Sequence, residues 1–111
     1  MEIKTYSLQN GILVLHPIGR LDLLSASELK RQLTQFVSEG HSRLLVDLNE
    51  VPFVDSTGLG ALVSGLKAAR EVGGDLRLSR PGDQARVVLE LTTLDRVLQC
   101  YDTVEEALAK Y

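Results

Sequence analysis

Residues 43–66 read RLLVDLNEVPFVDSTGLGALVSGL, and this stretch decides the fold. It opens with Arg43–Leu48, a short and nearly continuous apolar run that is typical of a strand buried on both faces. After the strand the spacing changes, and apolar residues recur at the interval of one helix face, at Leu59, Leu62, Val63 and Leu66. A buried strand followed by an amphipathic helix predicts a strand–helix unit of an α/β domain.

The residues before this unit predict a hairpin. Glu2–Gln9 is a mixed polar and apolar strand that ends at Asn10-Gly11, a dipeptide suited to a type I′ turn. Ile12–Gly19 is an apolar strand, so we expect the first two strands to pair in antiparallel fashion. Pro17 lacks an amide hydrogen, which predicts an irregularity or an unpaired side near the end of that strand.

The same approach places the remaining helices and strands. Ser25 and Glu28 have the spacing of a capping box, with apolar residues at helical spacing behind them, and Gly40 ends this first helix. Downstream, the pattern predicts a fourth strand over Asp75–Ser79 and a third helix from Pro81 to about Leu91. A fifth strand over Val97–Tyr101 follows, and then a last short helix capped by Thr103 with Glu106 three residues on. The order β-β-α-β-α-β-α-β-α predicts one α/β domain over residues 1–111, with helices packed on a mixed, mostly parallel five-stranded sheet.

Composition excludes several classes of function. The 111 residues carry 12 Lys or Arg and 15 Asp or Glu, a net charge of −3, which argues against direct binding of nucleic acid. The single cysteine, Cys100, cannot form an internal disulfide, and with two histidines it cannot build a usual zinc site. The apolar runs are far shorter than the roughly 20 residues that span a bilayer. We therefore expect a cytoplasmic protein with no membrane association.

The motifs of an enzyme are incomplete. Gly58-x-Gly60 lacks the third glycine of a dinucleotide fingerprint, because Val63 occupies that position. Gly60 and Gly65 have the spacing of a P-loop, but Leu66 stands where the lysine is required. We interpret His16 as a half-buried strand residue and His41 as a solvated loop residue. The chain is therefore expected to have no catalytic residues and no cofactor.

Two features between the buried strand and the second helix leave alternatives open. The carboxylates Asp47, Glu50 and Asp55 lie around one strand end, where they would either hold Mg²⁺ or serve in loop solvation and helix capping. Ser56 has the position of a helix N-cap. However, Gly58 and Gly60 in the first turn each cost up to about 1 kcal/mol relative to alanine. Their lack of side chains leaves the backbone and the serine bare, as at a docking site.

The stretch Asp55-Ser56-Thr57-Gly58-Leu59-Gly60 resembles the phosphorylation loop of anti-sigma factor antagonists, the stand-alone STAS domains of bacterial partner-switching systems. Gly19-Arg20-Leu21-Asp22 resembles the Gly-x-Leu/Ile-Asp element of the same family. The resemblance covers nearly the whole chain. It departs from the family at Arg20, where an acidic residue is common, and at Thr93, where glycine is common.

The resemblance implies a function. Ser56 would be phosphorylated by an anti-sigma factor that is itself a serine kinase, and dephosphorylated by a metal-dependent serine phosphatase. The unphosphorylated form would bind the anti-sigma factor and release the sigma factor. The partner-binding residues implied in this way are Asp22, Asp55, Ser56, Thr57, Gly58, Leu59 and Gly60, of which Asp22 and Asp55 should assist phosphoryl transfer.

We also expect a monomer or weak dimer, and the absence of a nucleophile–base pair or cofactor cradle predicts that the chain is not an enzyme and holds no metal. Two alternatives belong to other classes of protein. One is a scaffold or sensory STAS module within a larger signalling assembly, which would not need an exposed serine. The other is a small nucleotide-binding enzyme, which the incomplete phosphate-binding motifs disfavour.

Overall fold

Five strands form one sheet in the order β1-β2-β3-β4-β5 in the computed structural model, which describes residues 1–8 and 10–111. The strands are β1 (Glu2–Ser7), β2 (Ile12–Ile18), β3 (Arg43–Asp47), β4 (Asp75–Ser79) and β5 (Cys100–Tyr101). The helices are α1 (Ala26–Ser38), α2 (Ser56–Glu71), α3 (Asp83–Leu91) and α4 (Val104–Lys110). Strand β1 is antiparallel to β2 and the other pairs are parallel, which confirms the predicted α/β class and mixed sheet.

Both faces of the sheet are buried around β3. Leu44 and Val46 belong to the main core, which includes residues of α1, α2 and α3. Leu45 points to the other face, into a smaller cluster with Ala107 of α4. Because neighbouring residues of a strand face opposite sides, a strand covered on both sides has consecutive apolar residues, here Leu44, Leu45 and Val46. This confirms the interpretation of the apolar run in β3.

The first hairpin differs from its predicted turn. The Leu8 amide donates to the Ile12 carbonyl at 2.9 Å, and the Gly11 amide donates to the Leu8 carbonyl at 3.1 Å. The loop is therefore closed by Leu8 and Ile12, and it is longer than the expected two-residue type I′ turn. Gly11 still supplies a positive φ, of 79°. The predicted end of the first strand, Gln9, lies outside the described residues.

The proline in β2 has little consequence for the sheet. Pro17 lies opposite Ile3 of β1, but the pairing of β2 with β3 has already ended at Leu15 and Val46. One side of the strand is therefore free of β3 at the proline, as predicted.

The fifth strand is shorter than predicted. Thr93 has a φ of 58°, in the left-handed region that favours glycine. A 3-10 turn follows at Leu94–Arg96, and the amides of Val97 and Leu98 donate back to the Leu94 carbonyl. Because those two amides serve the turn, pairing with β4 is confined to Cys100–Tyr101.

Candidate functional site

Asp55, and not Ser56, caps helix α2. The Asp55 Oδ1 atom accepts hydrogen bonds from the Gly58 amide at 2.9 Å and from the Thr57 hydroxyl at 2.6 Å. The expectation that Ser56 is the N-cap is therefore wrong: the backbone of Asp55 is extended and Ser56 is already helical, so the side chain that reaches the Gly58 amide is that of Asp55. Ser56 is instead the first residue of α2 and is exposed. Its hydroxyl takes no part in the cap.

The cap also fixes the charge beside Ser56. The Thr57 hydroxyl and the Gly58 amide lower the pKa of Asp55 below its ordinary value, because both groups donate to the ionised carboxylate. Asp55 is thus a carboxylate at neutral pH, located at the positive end of the helix dipole. The exposed serine lies next to a fixed negative charge.

A short backbone pairing brings the two sequence motifs together. Leu21 and Val54 form a parallel bridge. In it the Leu21 amide donates to the Phe53 carbonyl at 2.8 Å, and the Asp55 amide donates to the Leu21 carbonyl at 3.1 Å. The segment from Gly19 to Asp22 therefore lies directly beside Asp55-Ser56, although more than thirty positions separate them in the printed sequence.

The two glycines of the first turn serve different purposes. An added Cβ at Gly58 would lie 2.3 Å from the Leu21 carbonyl oxygen, whereas an added Cβ at Gly60 would meet nothing within 4 Å. Gly58 is buried, so the expectation that it presents bare backbone to a partner is wrong; it permits the close approach of Leu21. Leu59 likewise belongs to the core rather than the surface. Gly60 alone of the three is exposed.

Asp22 shapes the loop that enters α1. Its Oδ1 atom accepts from the Leu24 amide at 3.1 Å. Ser25 does not form the predicted capping box: its Oγ atom donates to the Arg20 carbonyl at 2.7 Å and accepts from the Asp22 amide at 3.0 Å. Glu28 is bound to Arg31 instead. Ser25 is buried, and its hydroxyl joins the Arg20 carbonyl to the Asp22 amide across the loop.

This loop exposes two leucines that the sequence analysis missed. Leu23 is 72% exposed and Leu24 is 90% exposed. The available signal was an apolar pair placed between Asp22 and Ser25, before the helical spacing of α1 begins. Adjacent exposed apolar side chains are a common feature of protein-binding surfaces.

Charged side chains and a shallow groove complete the surrounding surface. The Arg20 guanidinium lies 4.1 Å from the centre of the Phe53 ring and approaches Asp22, with its side chain 62% exposed. A groove between α1 and α2 is lined mainly by small residues, with Lys30 beside it. We use the term Ser56 surface for Arg20, Asp22, Leu23, Leu24, Ser56, Thr57 and Gly60.

The carboxylates Asp47 and Glu50 belong to a different cluster. Buried Asp47 accepts from Arg80 Nε at 3.0 Å and contacts His16 Nδ1 at 2.9 Å, while Glu50 contacts His16 Nε2 at 2.8 Å. Burial alone would raise the pKa of Asp47, but its hydrogen bonds with Arg80 and His16 outweigh burial and lower it. Asp47 thus pairs with Arg80, Asp47 and Glu50 both hydrogen-bond to His16, and Asp55 caps a helix. In the part of the chain that is described, no His, Cys, Asp and Glu side chains form a cation site.

Within residues 1–8 and 10–111, no helix has both the length and the apolar character needed to cross a bilayer.

Comparison with known proteins identifies relatives over nearly the whole chain. The family model described as STAS domain matches residues 5–107. A protein of Thermotoga neapolitana named as an anti-sigma factor antagonist is 34% identical over 104 residues, covering 93% of this chain and 92% of that protein. The anti-sigma-B factor antagonist of Staphylococcus aureus is 31% identical over 87 residues, with coverage of 78% and 81%.

A solved structure agrees with this result. The crystal structure of an anti-sigma factor antagonist from Thermotoga maritima superposes with a TM-score of 0.92 at 29% identity. The match covers 97% of this chain and 92% of that one.

Proposed function

The chain belongs to the STAS domain family, and we propose that it acts as an anti-sigma factor antagonist whose binding is switched by phosphorylation of Ser56. In its unphosphorylated form it binds an anti-sigma factor that is also a serine kinase, and the sigma factor is released. That kinase phosphorylates Ser56 and ends the binding. A metal-dependent serine phosphatase restores the active form. The chain itself turns over no substrate.

The observation that carries this proposal is the exposed Ser56 beside the Asp55 cap. A serine that capped α2 would use its hydroxyl to accept from a backbone amide of the first turn. Here Asp55 already satisfies the Gly58 amide, and Ser56 is exposed. The hydroxyl is therefore accessible to a kinase, and the neighbouring Asp55 carboxylate is close enough in sequence to help orient it for phosphoryl transfer.

The expected effect of the phosphate is at the interface rather than on the fold. Phosphorylation adds about −1.5 to −2 charges. At the first residue of α2 this charge is favoured by the helix dipole and by free amides, but it is opposed by Asp55. We therefore expect little net change in the free energy of unfolding. Binding stops because a bulky dianion occupies the Ser56 surface.

Leu23 and Leu24 supply the apolar part of that interface. Both belong to the loop that the Leu21–Val54 bridge fixes next to Ser56. A partner that covers the two leucines must also approach Ser56 closely, so a single phosphate can oppose its binding.

The test compares wild type, Ser56→Ala and Ser56→Asp as bait in a lysate of the source bacterium, with ATP and then without it. Ser38→Asp is the matched control, because it adds the same charge to an exposed position at the far end of α1. We expect Ser56→Ala to retain an anti-sigma factor in both conditions. The captured protein should phosphorylate the wild type at Ser56, as judged by mass spectrometry. Ser56→Asp should bind poorly and Ser38→Asp should bind as the wild type does.

Several results would contradict the proposal. Equal binding of Ser56→Asp and Ser38→Asp would exclude a switch at Ser56. Capture of a multi-subunit assembly with no kinase activity toward Ser56 would favour the scaffold alternative. ATP turnover by the purified chain that survives Ser56→Ala would show that the chain is an enzyme.

A further inference from the structure

Val54, two residues before Ser56, is held on both of its backbone edges. On one edge it forms the bridge with Leu21. On the other edge its amide donates to Gln84 Oε1 at 2.8 Å, and its carbonyl accepts from Gln84 Nε2 at 2.8 Å. Gln84 is the second residue of α3. A side chain thirty positions away in sequence thus completes the hydrogen bonding of the segment that leads to Ser56.

Gln84 takes the place of a missing strand. The ladder between β3 and β4 ends at Asp47 and Ser79, so β4 offers no backbone groups to Val54. Val54 is 1% exposed, and its amide and carbonyl would lack partners if Gln84 did not bind them. Buried backbone groups without partners are strongly unfavourable.

We propose that Gln84 is a positioning residue for Ser56: its amide fixes the backbone of Val54 and thereby sets the geometry in which Ser56 is presented. The proposal deepens the function proposed above and rests on it for its kinase assay. The connection is short, because Asp55 follows Val54 directly and caps α2 through Gly58. If Val54 moves, the cap and the first residue of the helix move with it.

The chemistry makes Gln84 hard to replace. The primary amide offers one donor and one acceptor, which match the carbonyl and the amide of Val54. An ionised glutamate offers acceptors only and would repel the Val54 carbonyl, whereas a protonated glutamate again offers a donor and an acceptor. Methionine has a similar length and offers no donor.

The first experiment uses this difference and needs no partner. Amide resonances of Val54 and Ser56 are followed by NMR between about pH 4 and pH 8, a range that spans the titration of a glutamate with a raised pKa. The chains are wild type, Gln84→Glu, Gln84→Met and the control Gln35→Glu, which adds the same charge at an exposed position of α1. Asp55 and Asp83, the carboxylates nearest in sequence, are present in every chain, so the chains differ only at the substituted position.

In Gln84→Glu we expect the amide resonances of Val54 and Ser56 to shift with pH in one titration step that the wild type lacks. At low pH they should approach the wild-type positions, and at high pH those of Gln84→Met. The Gln35→Glu control should follow the wild type throughout. Resonances of Ser56 in Gln84→Met that coincide with wild type, or the absence of the additional titration, would overturn the proposal. If Gln84→Met does not fold, Gln84→Glu at low and high pH still decides the matter.

The second experiment measures phosphorylation of Ser56 by the kinase captured above. A displaced hydroxyl should lower kcat by about tenfold to a hundredfold in Gln84→Met, because small misplacements of reacting groups have effects of this size. The KM for the chain should change less than about threefold, since Leu23 and Leu24 are untouched. An unchanged kcat would overturn the positioning role. A failure of the proposed function is recognised separately, because the kinase would then not act on the wild type either.

Discussion

The Leu21 carbonyl oxygen lies where a side chain on Gly58 would begin. An ideal Cβ at Gly58 would be 2.3 Å from that oxygen and 2.8 Å from Leu21 Cγ. This contact joins the loop that enters α1 to the first turn of α2, and so places Asp22, Leu23 and Leu24 on the same surface as Ser56. Gly58 lies within the motif that resembles the phosphorylation loop, but internal packing against Leu21 is what requires a glycine there.

Gly58→Ala is therefore expected to lower the free energy of unfolding by about 1–3 kcal/mol, as is usual for overpacking. Gly60→Ala is the matched control in the same helical turn. Because nothing lies within 4 Å of its added Cβ, it should raise stability by about 0.5–1 kcal/mol through its better helix propensity. Urea unfolding of both variants measures the difference. Equal shifts would show that the Leu21 contact is absent in solution.

Substitution of Asp55 separates capping from phosphoryl transfer. Asp55→Asn keeps an oxygen acceptor for the Gly58 amide, so the melting temperature should change little while phosphorylation of Ser56 slows. Asp55→Ala removes the acceptor and should lower the melting temperature by about 5 °C. Thermal melts and initial phosphorylation rates, measured on the same samples, test this pattern. If Asp55→Asn is phosphorylated at the wild-type rate, the carboxylate has no role beyond the cap.

The pKa of Asp55 gives the pH dependence of the same cap. Because that pKa is lowered in the folded chain, its stabilising contribution is present above the unfolded value of 3.8 and is lost as pH falls below it. The acid side of a stability profile should therefore be shallower in Asp55→Asn than in the wild type. Identical slopes below pH 4 would contradict the lowered pKa.

Leu23 and Leu24 should matter for partner binding and not for folding. The double substitution Leu23→Ser and Leu24→Ser should weaken capture of the anti-sigma factor about thirtyfold or more, which corresponds to about 2 kcal/mol at an interface anchor. Its free energy of unfolding should stay within about 0.5 kcal/mol of wild type, since both side chains are exposed. Leu91→Ser is the control, because Leu91 is 80% exposed on α3. Equal loss of binding in the control would argue against a localised surface.

Asp47 should contribute strongly to stability through Arg80 and His16. Asp47→Asn removes a buried ionic partner and should lower the free energy of unfolding at neutral pH by about 3 kcal/mol. The folded pKa of Asp47 is lowered despite its burial, so this contribution is present above pH 3.8 and declines as pH falls further. Asp95→Asn, at an exposed position, should change stability by less than about 0.5 kcal/mol. Chemical denaturation across pH tests both variants, and a similar small effect in each would show that the Asp47 cluster contributes little.

The sequence by itself determined the order of the elements and the apolar faces. Leu59, Leu62 and Leu66 are buried as their spacing predicted, and Thr103 caps α4 by accepting from the Glu106 amide at 3.0 Å. Both are local properties: a helical period needs only one turn of chain, and a cap reaches only three residues. The two motifs that carry the family resemblance were also visible in the sequence, since each is a short continuous segment.

Only the tertiary structure decided what those segments do. Whether Ser56 or Asp55 caps α2 depends on backbone angles, which place the Asp55 carboxylate over the Gly58 amide. The burial of Gly58 requires Leu21, more than thirty positions earlier in the chain. The hydrogen bonds of Val54 require Gln84, thirty positions later. Such contacts form beyond the ends of the paired strands, where loops pack against strand edges. They join residues far apart in the chain, so no local sequence pattern predicts them. The exposed position of Leu23 and Leu24 follows from the same cause, because the buried Ser25 turns the loop so that both leucines face water.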